Sequence, residues 1–192
     1  KSFFTHETKI YPFNEGDIDS ISASGRGNGL LILSGGSVFK GSYAKGFHDI
    51  SPNGNDFTAA AFHPTSPKIL YAASFGRLYR SADGGNTWPL VTPIRRNGLD
   101  LAVTSLHVLS DNGHKVVVGV DGGAFVYDDS ADTLTLLSSL NGEIVNQVAS
   151  GDDKVVYRTE GGIFESNGSF ANIKSINSSS WNKVFQVKIN DD

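Results

Sequence analysis

The sequence of 192 residues contains no cysteine and no methionine, and the absence of cysteine excludes several kinds of site. Without cysteine there is no disulfide framework, no thiolate metal site and no cysteine nucleophile. No apolar run approaches the roughly 20 residues that a membrane-spanning helix needs. The 16 basic and 20 acidic residues give a net charge of −4 without a basic run, so nucleic acid is not an expected partner. The five histidines lack the spacing of metal ligands, and we expect neither a metal nor a cofactor.

Glycine is abundant, with 22 residues, and it marks a repeat. Four apolar segments each lead into a glycine turn: residues 30–33 before Gly36, 69–72 before Gly76, 116–118 before Gly123 and 155–157 before Gly162. The steps between these glycines are 40, 47 and 39 residues, a length typical of four-stranded propeller blades. An aromatic follows each turn, at Phe39, Tyr79, Phe125 and Phe164. The repeat predicts an all-β fold, a β-propeller of four-stranded antiparallel blades.

A second repeated signal, a turn followed by an acidic residue, precedes each predicted inner strand. The acids are Asp17, Asp56, Asp100 and Glu143, and Asn-Gly, the strongest short turn signal, precedes three of them. We interpret these turns as the links between blades at approximately 17–52, 56–96, 100–140 and 143–180, within one propeller domain or propeller fragment over residues 1–192. Residues 1–13 and 181–190 are predicted terminal strands. They either pair as a further blade or belong to a ring that a second chain or a missing segment completes.

Residues 81–88 carry the most specific motif, S-x-D-x-G-x-T-W, with its fixed positions at Ser81, Asp83, Gly85, Thr87 and Trp88. An aspartate at this position is suited to accept backbone N–H bonds within a tight turn, and glycine permits a positive φ there. The tryptophan supplies a large ring to bury as the next strand begins. The motif resembles the Asp box, or BNR repeat, of sialidase, sortilin-like and xyloglucan-hydrolase propellers. This resemblance implies a structural role for the five residues in a propeller hairpin.

The order of strands within a blade predicts that the repeated acids share one rim of the channel. Links between blades and the turns between second and third strands lie on the same face, which brings Asp121 and Glu160 to that rim as well. We predict that the rim binds a ligand through Asp17, Asp56, Asp100, Glu143, Phe75 and Arg77. An acid beside Asn-Gly also commonly supports its own turn, so a purely structural role for the repeated acids stays open.

Two enzyme hypotheses follow from the resemblance. A sialidase needs three arginines from different blades, and the segment Pro93-Ile94-Arg95 does not match the Arg-Ile-Pro motif of that family. A xyloglucan hydrolase carries an aspartate in a Thr-Asp-x-Gly-Gly segment, which Thr159-Glu160-Gly161-Gly162 resembles with glutamate in its place. In that case Glu160 and Asp121 are the candidate catalytic carboxylates. The same turn recurs in other blades without a constant acid, which favours a structural hairpin.

The sequence therefore favours a non-catalytic propeller that contacts a protein or glycan through its acidic rim. The alternative is part of a glycoside hydrolase, xyloglucanase-like or sialidase-like, whose site is completed by missing sequence. No leader peptide remains at the start, and because the sequence begins at Lys1 without methionine, we expect a processed chain or an excised fragment. We expect a secreted, cell-surface or periplasmic location.

Overall fold

Four antiparallel sheets of four strands follow one another along the chain in the computed structural model, which describes residues 18–24, 29–42, 44–51, 56–109, 114–151 and 153–176. The first sheet contains β1 (Ile18–Ala23), β2 (Leu30–Ser34), β3 (Ser37–Ser42) and β4 (Gly46–Asp49). The second contains β5 (Phe57–Phe62), β6 (Leu70–Ser74), β7 (Arg77–Ser81) and β8 (Leu90–Pro93). A short hairpin of β9 (Arg95–Arg96) and β10 (Leu99–Asp100) comes next, so residues 95–96 pair with the following segment rather than extending the second sheet.

The second half of the described chain repeats this plan. The third sheet contains β11 (Val103–Val108), β12 (Lys115–Val120), β13 (Gly123–Asp128) and β14 (Thr133–Leu136), and a single 3₁₀ turn (Ser138–Leu140) follows it. The fourth contains β15 (Val145–Gly151), β16 (Lys154–Thr159), β17 (Ile163–Asn167) and β18 (Lys174–Ser175). Within the described ranges, no helix is long and apolar enough to cross a membrane. Asp17, the predicted terminal strands and residues 177–180 lie outside these ranges.

The apolar cores lie between successive sheets. Strand β12 illustrates why, because Val116, Val118 and Val120 pack into one cluster with residues of the second sheet, whereas Val117 packs into another with residues of the fourth. Side chains alternate between the two faces of a strand, so a nearly continuous run of β-branched residues supplies both cores at once. A third cluster joins the first and second sheets through residues such as Leu31 and Tyr79. The sheets therefore stack in chain order, as blades do.

Every first strand of a sheet contains a β-bulge at the same place. In β1 the pairing steps from Ile18 opposite Ser34 to Ser20 opposite Leu33, which leaves one extra residue between them. The same step occurs in β5, β11 and β15. The extra residues are Asp19, Thr58, Thr104 and Asn146. A bulged residue leaves the regular ladder and redirects its side chain.

The 81–88 loop between β7 and β8 is held by hydrogen bonds among its own residues. Asp83 Oδ1 accepts the backbone N–H groups of Asn86 and Thr87, both at 3.0 Å, and Asp83 Oδ2 accepts the Thr87 hydroxyl at 2.7 Å. The Ser81 hydroxyl donates to Asp83 Oδ1 at 2.8 Å and accepts the Gly85 N–H at 2.8 Å. Gly85 has a φ of 102°, which an L side chain rarely adopts. The loop is thus a turn built around one carboxylate.

The same loop also contacts the preceding sheet. Trp88 Nε1–H donates to the Ile50 carbonyl at 2.7 Å, and its ring is half-buried rather than fully enclosed. Gly85 packs directly against Ile50, where a β-carbon would clash with the isoleucine side chain. Lys40 on β3 donates to the Gly84 carbonyl at 2.9 Å. The loop therefore joins the first and second sheets.

The carboxylate of Asp83 makes the stability of this loop dependent on pH. Backbone and hydroxyl bonds from Thr87, together with the Ser81 hydroxyl, hold the pKa of Asp83 well below its ordinary value of 3.8. A carboxyl with a lowered pKa stabilises the fold above its unfolded pKa, and that contribution is lost as the pH falls below it. We expect Asp83→Asn to lower Tm clearly at pH 7, and we expect the difference from the parent to shrink as the pH falls from 4 towards 2.

Thermal unfolding at several pH values, followed by circular dichroism, checks this expectation. Asp121→Asn is the matched control, because no described residue forms a hydrogen bond or ion pair with the exposed Asp121 carboxylate. That variant should follow the parent at every pH. A Tm difference for Asp83→Asn that stays constant between pH 7 and pH 2 would contradict the role given to the Asp83 charge.

Candidate functional site

One edge of the sheets gathers the turns between second and third strands and the links between sheets. We call this edge the link rim; its described members lie at 35–36, 56, 75–77, 94–102, 121–122, 141–144 and 160–161. Backbone hydrogen bonds connect turns to links: Phe57 N–H to Gly36 O at 2.9 Å, Gly76 N–H to Leu101 O at 2.8 Å and Asp121 N–H to Ala102 O at 3.0 Å. Gly142 N–H similarly donates to Gly122 O at 3.0 Å. The described members of the candidate site therefore lie along one rim.

Two arginines form hydrogen bonds on this rim between the second and third sheets, and one of them neutralises an acid. Arg95 Nε donates to Asp100 Oδ1 at 2.5 Å across the β9–β10 hairpin. Arg96 Nη1 donates to the Gly122 carbonyl at 3.0 Å and so reaches the next sheet. Asn97 and Gly98 form the turn with φ values of 51° and 81°, as a two-residue hairpin turn requires. The Asn-Gly signal, which places Arg95 opposite Asp100, is the sequence feature that locates this ion pair.

Asp56 and Glu143 occupy similar places in the chain but have different surroundings. Asp56 is exposed and lies against Gly36, so it covers a turn of the preceding sheet. Glu143 Oε2 accepts the Thr159 hydroxyl at 2.6 Å and packs against Gly161, a turn of its own sheet. Asp100 is ion-paired with Arg95, and Glu143 accepts a hydrogen bond from Thr159. Of the predicted rim acids that precede inner strands, Asp56 is therefore the one whose described surroundings leave its carboxylate available to a partner.

The two carboxylates of the hydrolase hypothesis lie in turns of different sheets. Asp121 lies in the turn before β13 and Glu160 in the turn before β17, and both residues are exposed. Within the described ranges, no hydrogen bond or ion pair reaches either carboxylate. Glycoside hydrolysis needs one carboxyl kept protonated and the other ionised by different surroundings. The described geometry supplies no such distinction between Asp121 and Glu160.

Two large apolar side chains are strongly exposed on the link rim. Phe75 exposes 61% of its surface and Leu99 exposes 71%. The backbone segments that carry them lie near each other, because Gly76, the neighbour of Phe75, packs against Asp100, the neighbour of Leu99. Arg77 is exposed beside them. The rim thus combines apolar and charged groups in one area, and the sequence prediction named Phe75 and Arg77 but missed Leu99.

The central cavity, of about 500 Å³, is lined by residues of the first strands of all four sheets. All four bulged residues, Asp19, Thr58, Thr104 and Asn146, line it. Sequence reasoning missed this set, although the signal is present. In residues 18–21 two polar residues stand between isoleucines, which interrupts strict alternation by one residue, as a bulge does.

The described residues contain no group of three histidine, aspartate or glutamate side chains placed to hold a metal ion. The chemical groups available on the rim and in the cavity are carboxylates, hydroxyls, amides, guanidinium groups, the imidazole of His107 and apolar side chains. They are suited to hydrogen bonding and to packing against a partner.

The chain matches no known family pattern and no curated protein, whereas many solved structures share its fold. One is the extracellular domain of a one-component system from B. thetaiotaomicron, at a TM-score of 0.70 and 14% identity over 91% of this chain and 24% of that one. Another is the GH74 xyloglucanase from Xanthomonas campestris, at 0.64 and 16% identity over 83% of this chain and 30% of that one. YCF48 bound to D1 peptide gives 0.58 and 12% identity over 88% of this chain and 57% of that one.

These three proteins are β-propellers, and their likeness confirms the predicted fold class. The chain spans between 24% and 57% of their lengths. At these levels of identity the likeness concerns the fold alone. The described four-stranded sheets are therefore propeller blades.

Proposed function

We propose that this chain is a non-catalytic binding module that contacts a protein partner through the link rim, in one propeller domain of the Asp-box, or BNR, type. The observation that carries the proposal is the exposure of Phe75 and Leu99, at 61% and 71%, on a rim whose other described apolar residues, Ile94, Leu101, Ala102 and Ile144, are buried or half-buried. Aromatic residues and arginine are enriched at the cores of protein interfaces, and Arg77 stands beside this pair. A glycan partner is the alternative ligand class for the same rim.

The charges of the rim support a partner with basic groups around an apolar centre. Asp56, Asp121 and Glu160 are exposed acids on the rim, whereas Arg95 is already paired with Asp100. A partner segment that places an apolar side chain on Phe75 and Leu99 would meet these acids at the edge of the contact. Electrostatic complementarity of this kind contributes to partner choice and to the association rate. The peptide-bound state of YCF48 gives a precedent for a peptide partner on this fold.

An extracytoplasmic location and the Asp-box assignment belong to the same proposal. The likeness to an extracellular domain supports a secreted, cell-surface or periplasmic chain. The bonds that Asp83 accepts from Asn86 and Thr87 support the assignment, because the motif residues contact one another within the turn. We further propose that the four sheets belong to one ring, which a second chain or a further segment completes.

Site-specific photo-crosslinking in the native host tests the rim. A photoreactive phenylalanine analogue at position 99 should capture one defined protein, whereas the same analogue at Leu90, 53% exposed on the outer strand β8, should not. With that partner purified, Phe75→Ser and Asp56→Lys should each weaken binding about tenfold or more, and Leu90→Ser should not change it. Equal capture from positions 99 and 90 would overturn the rim assignment.

Part of a glycoside hydrolase is the second candidate, favoured by the likeness to the xyloglucanase and by two exposed carboxylates in neighbouring turns. Activity assays of the parent protein and of the variants Asp121→Asn and Glu160→Gln on xyloglucan, β-glucans and sialosides test this candidate. We expect no turnover by any of them. Turnover by the parent that either substitution abolishes would replace the binding module with a hydrolase.

A further inference from the structure

We propose that the bulged residues Asp19, Thr58, Thr104 and Asn146 form a small-molecule site in the central cavity, and that this site takes a neutral polyhydroxylated ligand of monosaccharide size. The proposal is independent of the rim partner, since it concerns the cavity between the first strands rather than the turns. It begins from the pairing of the strands. The same single-residue insertion occurs in the first strand of each of the four sheets. The four inserted residues carry hydrogen-bonding side chains, and all four line the cavity.

All four bulged residues line the cavity, and in β5 the bulge exposes a side chain within an otherwise buried strand. In β5, Thr58 is the only exposed residue of six, and the other five are buried. Its hydroxyl makes one long contact, 3.4 Å, with the Ala73 carbonyl, and Asn146 is half-buried on β15. A bulge is a recurrent means of re-aiming side chains at the rim of a barrel or near a binding site. Here the device is repeated around one cavity.

The size of the cavity fits a small ligand. Its volume of about 500 Å³ lies within the range of about 300–1,000 Å³ that is usual for small-molecule sites. Apolar side chains contribute to the lining as well, among them Ile21, Leu106 and Val148. Such sites combine an apolar lining with a few polar groups that fix orientation. Asp19, Thr58 and Asn146 supply these polar groups, together with Thr104, whose hydroxyl donates to the Val145 carbonyl and can accept from a ligand.

The chemistry of the lining selects a neutral ligand. Asp19 and His107 are the ionisable residues among the described lining. His107 Nε2 lies 2.8 Å from the Ser150 hydroxyl, and burial lowers the pKa of His107 to about 4, so its ring is uncharged at pH 7. No described lining residue is cationic, which disfavours phosphate and carboxylate ligands. Serine, threonine, asparagine and glutamine both donate and accept, as the hydroxyl groups of a sugar do.

Saturation-transfer-difference NMR on the whole chain tests this site with D-glucose, D-galactose, D-xylose and myo-inositol as probes. Glucosamine and glucose 6-phosphate are the charged comparators. We expect saturation transfer to at least one neutral probe and none to the phosphate. In the ¹⁵N spectrum, the amides of Thr58, Thr104 and Asn146 should shift on titration, whereas the rim amide of Leu99 should not.

Three substitutions in the cavity and one control outside it test the site. Thr58→Val removes a hydroxyl at nearly constant shape and should weaken the neutral probe about threefold to tenfold, whereas Thr133→Val, at an exposed threonine of β14, should leave it unchanged. Asn146→Ala is the second variant and should weaken it by a similar factor. Asp19→Asn replaces a carboxylate acceptor of the site with an amide and should also weaken the neutral probe, by about twofold to tenfold. The parent should bind glucosamine no more tightly than glucose.

Three results would overturn the proposal. One is the absence of saturation transfer to every neutral probe. Another is binding that shifts the Leu99 amide rather than the amides of the bulged residues. The third is tighter binding of glucosamine than of glucose by the parent, together with loss of that preference in Asp19→Asn. This result would show that the cavity binds cationic ligands. Failure here leaves the rim proposal intact, because the crosslinking experiment uses other residues and another readout.

Discussion

Replacing Trp88 with alanine should lower the free energy of unfolding by about 3 kcal/mol, which corresponds to about 6–12 °C in Tm for a chain of this length. The indole packs between the first two sheets, 6.5 Å from the Phe57 ring between centroids, and its N–H donates to the Ile50 carbonyl at 2.7 Å. The ring is half-buried, so the effect lies at the lower end of the range for truncated buried aromatics. Chemical denaturation monitored by circular dichroism measures it.

Trp88→Phe is the matched control for this experiment. It keeps most of the ring contact with Phe57 but removes the donor to Ile50, and we expect a cost of about 1 kcal/mol. A shift of less than about 1 °C for Trp88→Ala would show that the 81–88 loop does not join the first two sheets. Equal losses for alanine and phenylalanine would assign the whole effect to the hydrogen bond.

The 81–88 loop also shows which contacts a sequence can predict. The bonds around Asp83 are predictable because every partner lies within four residues along the chain. The contact of Trp88 with Ile50 spans 38 residues, and no local pattern specifies it. A fully buried ring was the natural expectation from the motif. The structure leaves the ring half-buried because the loop packs on the edge of the first sheet, where Ile50 itself is half-buried.

The fold class was predictable because the repeat has a physical cause. Gly36 and Gly76 adopt positive φ values of 77° and 69° in turns between second and third strands, so glycine recurs wherever that turn recurs. The aromatic residues after the turns occupy equivalent positions in the pairing, with Phe39 opposite Ile32 and Phe125 opposite Val118. A repeat of this kind predicts the strands and turns of each sheet, and it does so without information on how the sheets pack against one another.

The candidate site was less predictable, because partners decide the role of an acid. The sequence treats Asp100 and Asp56 alike, yet Arg95 pairs with the first and leaves the second exposed. The bulged residues that line the cavity were missed for a different reason. A bulge changes the face of a side chain by a single insertion, and the small residues at 58–61 hide that insertion, so that the pairing of β5 with β6 is needed to recognise it. Thr58 shows the difference, since it stands exposed within a buried strand.

Gly119→Ala should destabilise the contact between the third and fourth sheets by about 3 kcal/mol, at the upper end of the cost of overpacking. Gly119 lies opposite Ser105 in the pairing of β11 with β12. A β-carbon there would lie closer than 3.0 Å to the Ser105 hydroxyl and to the Val145 carbonyl of β15. That carbonyl accepts the Thr104 hydroxyl at 2.7 Å and the Ser105 hydroxyl at 2.8 Å, so it cannot retreat without breaking both bonds.

Gly29→Ala is the control for Gly119→Ala, because its β-carbon would meet its nearest atoms, in Phe62 and Ser24, at an ordinary distance of 3.4 Å. It should change the free energy of unfolding by less than about 1 kcal/mol. Gly119 has no positive φ, so the substitution tests packing space rather than backbone strain. Thr104 lines the cavity and donates to Val145 on β15. Gly119→Ala should therefore also weaken the binding of a ligand in the cavity, because it displaces β15. A variant as stable as the parent would mean that β11 and β15 do not approach this closely, and the first strands of the third and fourth sheets would then not line one cavity.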